Sequence, residues 1–233
     1  MVTIVAVLAI PAGHINHHLA RGEARAPDQP RVKPIRVLLR SRPLLAVAAA
    51  VTLFHLGNAA MLPLYGLAVV ATNANPFTTV ASTVVIAQAI MVPASLAAMR
   101  IAGARGYWPA ILIAFTVLPV RALIASYVIS SWGVIPVQVL DGVGAGILSV
   151  AVPGLVARIL DGTGHINVGQ GAVIAAQGLG GALSPVLGGF AAQTFGFSAA
   201  FAMLGGLSVG SLIIWLCCAS MLRGTGDAVG PGI

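Results

Sequence analysis

The sequence predicts an all-α, polytopic transmembrane helix bundle, and three observations predict it. Of 233 residues, 58% are hydrophobic and 7% charged, with a mean hydropathy of +1.00, too little polar surface to coat a soluble globule. Apolar runs recur at the length a bilayer demands, since a hydrocarbon core about 30 Å thick takes roughly 20 helical residues to cross. Of the 12 Lys and Arg, all but Arg121 fall in four polar stretches, residues 19–43, 100–107, 158–167 and the tail from Arg223. The alternate turns around Asn73, Ser131 and Gly196 carry neither Lys nor Arg, so the positive-inside bias makes the basic side cytoplasmic and the host the cell inner membrane.

Residues 1–12 are apolar but too short to span, and they end in the polar cluster His14, Asn16, His17 and His18. No basic segment precedes this run, as one would in a signal peptide, so residues 1–18 read as the cytoplasmic end of a truncated transmembrane helix. Residues 19–43 form a basic cytoplasmic loop, rich in arginine and broken by Pro27, Pro30, Pro34 and Pro43. Its last part, 34–42, alternates Ile35, Val37, Leu38 and Leu39 with Arg36, Arg40 and Arg42, the pattern of a short helix lying on headgroups. The bundle occupies residues 44–222, with spans at 44–72, 77–99, 108–130, 134–157, 168–194 and 198–222. A cytoplasmic tail, 223–233, follows.

Small residues dominate the spans. Gly142, Gly144, Ala145 and Gly146, and later Gly178, Gly180, Gly181, Gly188 and Gly189, supply faces for close helix approach, which is how helices associate in lipid. Pro63, Pro93, Pro119, Pro136, Pro153 and Pro185 fall within spans and bend them. Neither glycine cluster follows a strand or has G-x-G-x-x-G spacing, so a dinucleotide site is excluded. The basic residues flank membrane segments without aromatic interleaving, which points to anionic lipid and away from nucleic acid. Cys217 and Cys218 are adjacent in an apolar helix, giving neither a disulfide framework nor a metal spacing. With no paired nucleophile and base and no phosphate loop, no enzyme, cofactor or metal centre is expected; His14, His17 and His18 read as interfacial histidines.

The order of these features resembles the C-terminal half of a major facilitator superfamily (MFS) transporter, over nearly the whole chain. The basic segment 19–43 is similar to the connection between the two six-helix halves. Ala98 to Tyr107 resembles a degraded copy of the family's loop between the second and third helices of a half, keeping Arg100, Gly103, Arg105 and Gly106 without its acidic residue. Gln177 to Gly189, followed by Gln193, Phe195, Gly196 and Phe197, resembles the penultimate helix and its turn. The resemblance implies two inverted three-helix repeats, 44–130 and 134–222, and a second half needed to complete a cavity. It also puts the spans of His55 and Asp141 beside that cavity, and those of Arg121 and Ser208 at the periphery.

Polar residues at membrane depth tend to face the bundle interior. His55, Asn58, Gln88, Gln138 and Gln177 are therefore the cavity candidates. Arg121 lies about nine residues before the turn at 131–133 and Asp141 about eight after it, so a rise of about 1.5 Å per residue brings them to equal depth. The expectation is a buried salt bridge between the repeats. Taken together, the sequence points to secondary transport of a small solute by alternating access. The chain would work beside a second six-helix half or as a homodimer; the alternative is a non-transporting remnant or interaction scaffold.

Overall fold

Pro63 decides the shape of the first span. Its ring has no N–H to donate and collides with the carbonyl four residues back, at Ala59. The helix accordingly stops at Asn58 and resumes at Met61 in the computed structural model, which describes residues 38–226. We label the two pieces α1 (Arg42–Asn58) and α2 (Met61–Val70). The buried N–H of Ala60, in the break, donates to the Ser184 hydroxyl at 2.9 Å. The expectation of a mere bend at Pro63 is thus replaced by a discontinuity. Pro93, Pro119, Pro153 and Pro185 sit inside continuous helices, and Pro136 lies in a first helical turn, where no intrahelical N–H is needed.

The remaining described helices are α3 (Pro76–Arg105), α4 (Tyr107–Tyr127), α5 (Val134–Ile159), α6 (Ile166–Phe195), α7 (Phe197–Cys217) and the short α8 (Ala219–Gly226). With α1 and α2 counted as one, six of the described segments are long and apolar enough to cross a membrane. Asn75 caps α3, its side chain accepting from the N–H groups of Phe77 and Thr78, with Pro76 at the first helical position. The loop expected at 98–107 is helical as far as Arg105, because the ladder continues past the apolar run and leaves Arg100 and Arg105 exposed on it. The last span likewise ends at Cys217, earlier than expected, and α8 begins anew at Ala219. The truncated helix of 1–18, most of the basic loop, most of the 34–42 headgroup helix and the end of the tail lie outside the described residues.

Two glycines reveal how the bundle repeats. Gly106, at φ +80° and ψ 175°, is the single residue joining α3 to α4, and Gly196, at φ +86° and ψ 167°, joins α6 to α7. Only glycine occupies that region without strain. The same joint therefore recurs between the second and third helices of each three-span repeat. Packing follows the same exchange: α3 packs on α5 as α6 packs on α1, α4 packs on α5 as α7 packs on α1, and α4 and α7 pack on each other. A repeat of three spans starts its successor from the opposite membrane face, so the two are inverted.

Close approach is set by a few of the small residues. A Cβ on Gly142 or Gly146 of α5 would stand 2.5 Å from a carbonyl oxygen of α3, at Ala87 and Met91. One on Gly180 of α6 would overlap the Thr52 carbonyl of α1, and the Thr52 hydroxyl donates across the same contact to Ala176 at 3.1 Å. Gly178 and Gly189 face open space instead. The core lies among α1, α4, α5 and α7, where Phe54, Phe115 and Trp215 meet in series, the first pair tilted and the second edge-to-face, with centroids 5.6 and 5.4 Å apart. Only 17% of the apolar stretch of α3 and 22% of that of α6 is buried, against 50% for α5, so these two spans hold the uncovered faces.

Candidate functional site

A cavity of about 290 Å³ begins at the break in the first span and extends toward the turn joining α5 to α6. Phe54, His55 and Asn58 line it from α1, and Gln170, Val173, Ile174 and Gln177 from α6. Ala145, Leu148, Ser149, Val152 and Pro153 of α5 complete the wall. Sequence logic explains how these meet: His55 and Asn58 stand one turn apart just before the Pro63 break, and Gly180 lets α6 come against α1 closely enough to present Gln177. The volume falls at the lower edge of the range for small-molecule pockets, about 300–1,000 Å³.

The polar atoms of this wall have defined roles. His55 Nδ1 lies 2.9 Å from the Val51 carbonyl, which can only accept, so Nδ1 carries a proton and Nε2 of the neutral ring is an acceptor. Gln177 is half-buried, and its side-chain amide makes no hydrogen bond among the described residues. Gln170 Nε2 donates to the Pro153 carbonyl at 2.7 Å and so ties α5 to α6 at the end of the cavity.

Behind Asn58 lies a second polar site of opposite character. Arg121 Nη1 stands 2.8 Å from Asp141 Oδ1, with side chains 1% and 12% exposed. Arg121 Nη1 also donates to Asn58 Oδ1, and Nε donates to the Val137 carbonyl at 3.1 Å. Asn58 Nδ2 reaches Asp141 Oδ1 at 3.5 Å, closing a triangle across α1, α4 and α5. The crevice around it, walled by Phe54, Val117, Leu118, Leu140 and Gly144, has no room for water. The Arg121 Nη2 group and both amide atoms of Gln138 are buried without a partner among the described residues.

Of the sequence-derived candidates, the structure brings His55, Asn58 and Gln177 together at the cavity and Arg121 and Asp141 together behind it. Gln138 is wholly buried in α5 outside the cavity wall, and Gln88 is exposed on α3. Sequence reasoning missed the dual position of Asn58 and the Ser184 contact at the break. Pro63 was the available signal, since a proline four residues after Ala59 frees backbone groups that need a polar neighbour. Among the described residues no cluster of His, Cys, Asp or Glu could hold a metal; His14, His17 and His18 lie outside them.

No family model matches the chain. Two curated relatives, both named as uncharacterized MFS-type transporters and from two strains of Mycobacterium tuberculosis, are each 38% identical over 219 residues. The match covers 93% of this chain and 52% of theirs, so the chain spans about half the length of these relatives. Among solved structures, it is similar to a peptide transporter POT in complex with sulfate, with a TM-score of 0.70 at 14% identity over 82% of this chain and 40% of that one. A POT family transporter in complex with 5-aminolevulinic acid gives a TM-score of 0.71 at 16% identity, over 80% of this chain and 40% of that one. The fold is therefore that of one six-span half of such a transporter, and the chain is a multi-pass membrane protein.

Proposed function

We propose that this chain, whose sequence resembles MFS-type transporters and whose fold matches one half of that architecture, supplies one wall of the cavity of a secondary transporter that moves a small solute by alternating access. The observation that carries this reading is the cavity itself: it sits at a discontinuous span between the two inverted repeats, with His55, Asn58 and Gln177 on one wall. The half is the C-terminal one, and the chain performs no covalent chemistry. If transport is energised, an ion gradient is the natural source.

The uncovered faces of α3 and α6 support a further part of the reading. Val85 and Leu96 on α3, and Leu179, Val186 and Phe190 on α6, are exposed, which suits docking of a second six-span half or a second copy of the chain. Reconstituted as a monomer, the chain should give no concentrative uptake across a panel of labelled solutes. Uptake only by a dimer or with a second chain would specify the partner. Robust accumulation by the monomer would overturn the half-transporter reading, and inactivity in every assembly would favour a remnant or scaffold.

The orientation proposed has the basic segments cytoplasmic and the membrane the cell inner membrane. Reporter fusions at residues 105 and 226 should then be active only as cytoplasmic reporters. Periplasmic activity at either position would reverse the topology.

A further inference from the structure

We infer that this wall of the cavity takes the uncharged, hydrogen-bonding portion of a solute with one apolar face, read by His55, Asn58 and Gln177, and that the Arg121–Asp141 pair behind Asn58 adds no net charge to it. The inference rests on the reading of this cavity as a transport site. Every polar side chain on its wall is an amide, a hydroxyl or an imidazole, and Leu148, Val152 and Ile174 form the apolar side. An ionised group of the solute set against this wall would lack a countercharge on it, a strongly unfavourable arrangement. Of the nearest ionised groups, Arg121 and Asp141 neutralise each other at 2.8 Å, and Arg158, roughly 13 Å along α5 from Ser149, is partly exposed with its guanidinium 5.3 Å from the Tyr107 ring centroid.

The hydrogen-bonding inventory specifies the solute further. His55 offers Nε2 as an acceptor, because its Nδ1 proton is committed to Val51. Asn58 Oδ1 is committed to Arg121, while its Nδ2 holds Asp141 at 3.5 Å, the outer limit of a hydrogen bond. An N–H of Asn58 is therefore the group that a ligand can take over. Gln177 brings an unengaged donor and an unengaged acceptor. The matching chemistry is a solute with both a donor and an acceptor, such as a hydroxyl or carboxamide, on an apolar skeleton. Asn58 touches the ligand and the ion pair at once, so it senses both.

The field inside the cavity tests this without knowledge of the ligand. A single thiol is introduced by Ser149→Cys in a Cys217→Ser, Cys218→Ser background; Ser149 lines the cavity and is exposed. Three methanethiosulfonates are applied to the purified chain near physiological ionic strength: methyl, cationic ethyltrimethylammonium and anionic ethylsulfonate. The cation-to-anion rate ratio is normalised to that of free 2-mercaptoethanol, and it should lie within about threefold of unity, because no charged side chain lines the cavity and solvent ions screen the partly exposed Arg158. A preference of about tenfold or more for either sign would mean a charged cavity and would overturn the inference. Asp141→Asn should shift the ratio toward the anion by about tenfold, since the wholly buried, little-screened Arg121 is then uncompensated beside position 141, which lies roughly 12 Å along α5 from the thiol. Arg121→Met with Asp141→Asn should restore it; an unmoved ratio in the folded Asp141→Asn protein would overturn the role given to the pair. If even the methyl reagent fails to react, water does not reach the cavity, and the transport-site reading falls along with the inference.

Discussion

Asn58 separates two polar sites built on opposite plans. On one side, Arg121 and Asp141 are charged and paired, Arg121 fully buried and Asp141 12% exposed; on the other, His55, Gln170 and Gln177 are neutral and line a space of about 290 Å³. The difference follows from what lipid penalises. A charge in the bilayer must be compensated at once, on insertion scales at a cost of at least about 2.5–3.5 kcal/mol if it is not, so it ends in tight contact with its opposite. A neutral amide can wait, partly hydrated, for a partner that comes and goes. The first arrangement suits fastening the two repeats, and the second suits recognising a solute.

The largest expected effect lies on the closed side. Arg121→Ala and Asp141→Ala should each lower stability by about 3–5 kcal/mol, because each leaves an uncompensated buried charge; denaturant titration in detergent micelles measures it. A loss below about 1 kcal/mol for either would dissolve the contrast between the sites. Asn58→Ala should cost less, about 1.5 kcal/mol, since Arg121 loses one charge-assisted hydrogen bond but keeps Asp141. A loss as large as that of Arg121→Ala would make Asn58 part of the closed site alone. The smallest effect belongs to the open side: Gln177→Ala should change stability by less than about 0.5 kcal/mol, since its amide holds no partner. A larger loss would reveal a structural contact where the account has a ligand contact.

The legible part of the molecule was whatever depends on length and counting. Run length gave six spans, and counting from the turn at 131–133 put Arg121 and Asp141 at one depth, where the structure has them 2.8 Å apart. Facing was much less legible. Spans that are apolar all round carry little 3.6-residue periodicity, so depth alone could not separate Gln177, on the cavity wall, from Gln88, exposed on α3. Within one glycine-rich stretch, Gly180 meets the α1 backbone and Gly178 meets nothing, a difference decided by which helix lies opposite. The end of α3 was misread for a related reason: charge at Arg100 and Arg105 marks where the apolar core stops, whereas the helix stops at Gly106. The break at Asn58 was written in Pro63, but whether a membrane proline bends or breaks its helix depends on a neighbour such as Ser184 to take up the freed groups.

The account stands most directly on whether Arg121 and Asp141 act as one unit joining the two repeats. A double-mutant cycle on unfolding free energy, with Arg121→Ala, Asp141→Ala and both together, measures this coupling. The account predicts strong non-additivity: the double variant should regain most of the roughly 3–5 kcal/mol lost in either single one, because removing both charges leaves nothing uncompensated. Losses that add to within about 0.5 kcal/mol would mean that the two residues do not depend on each other, and would contradict the claim.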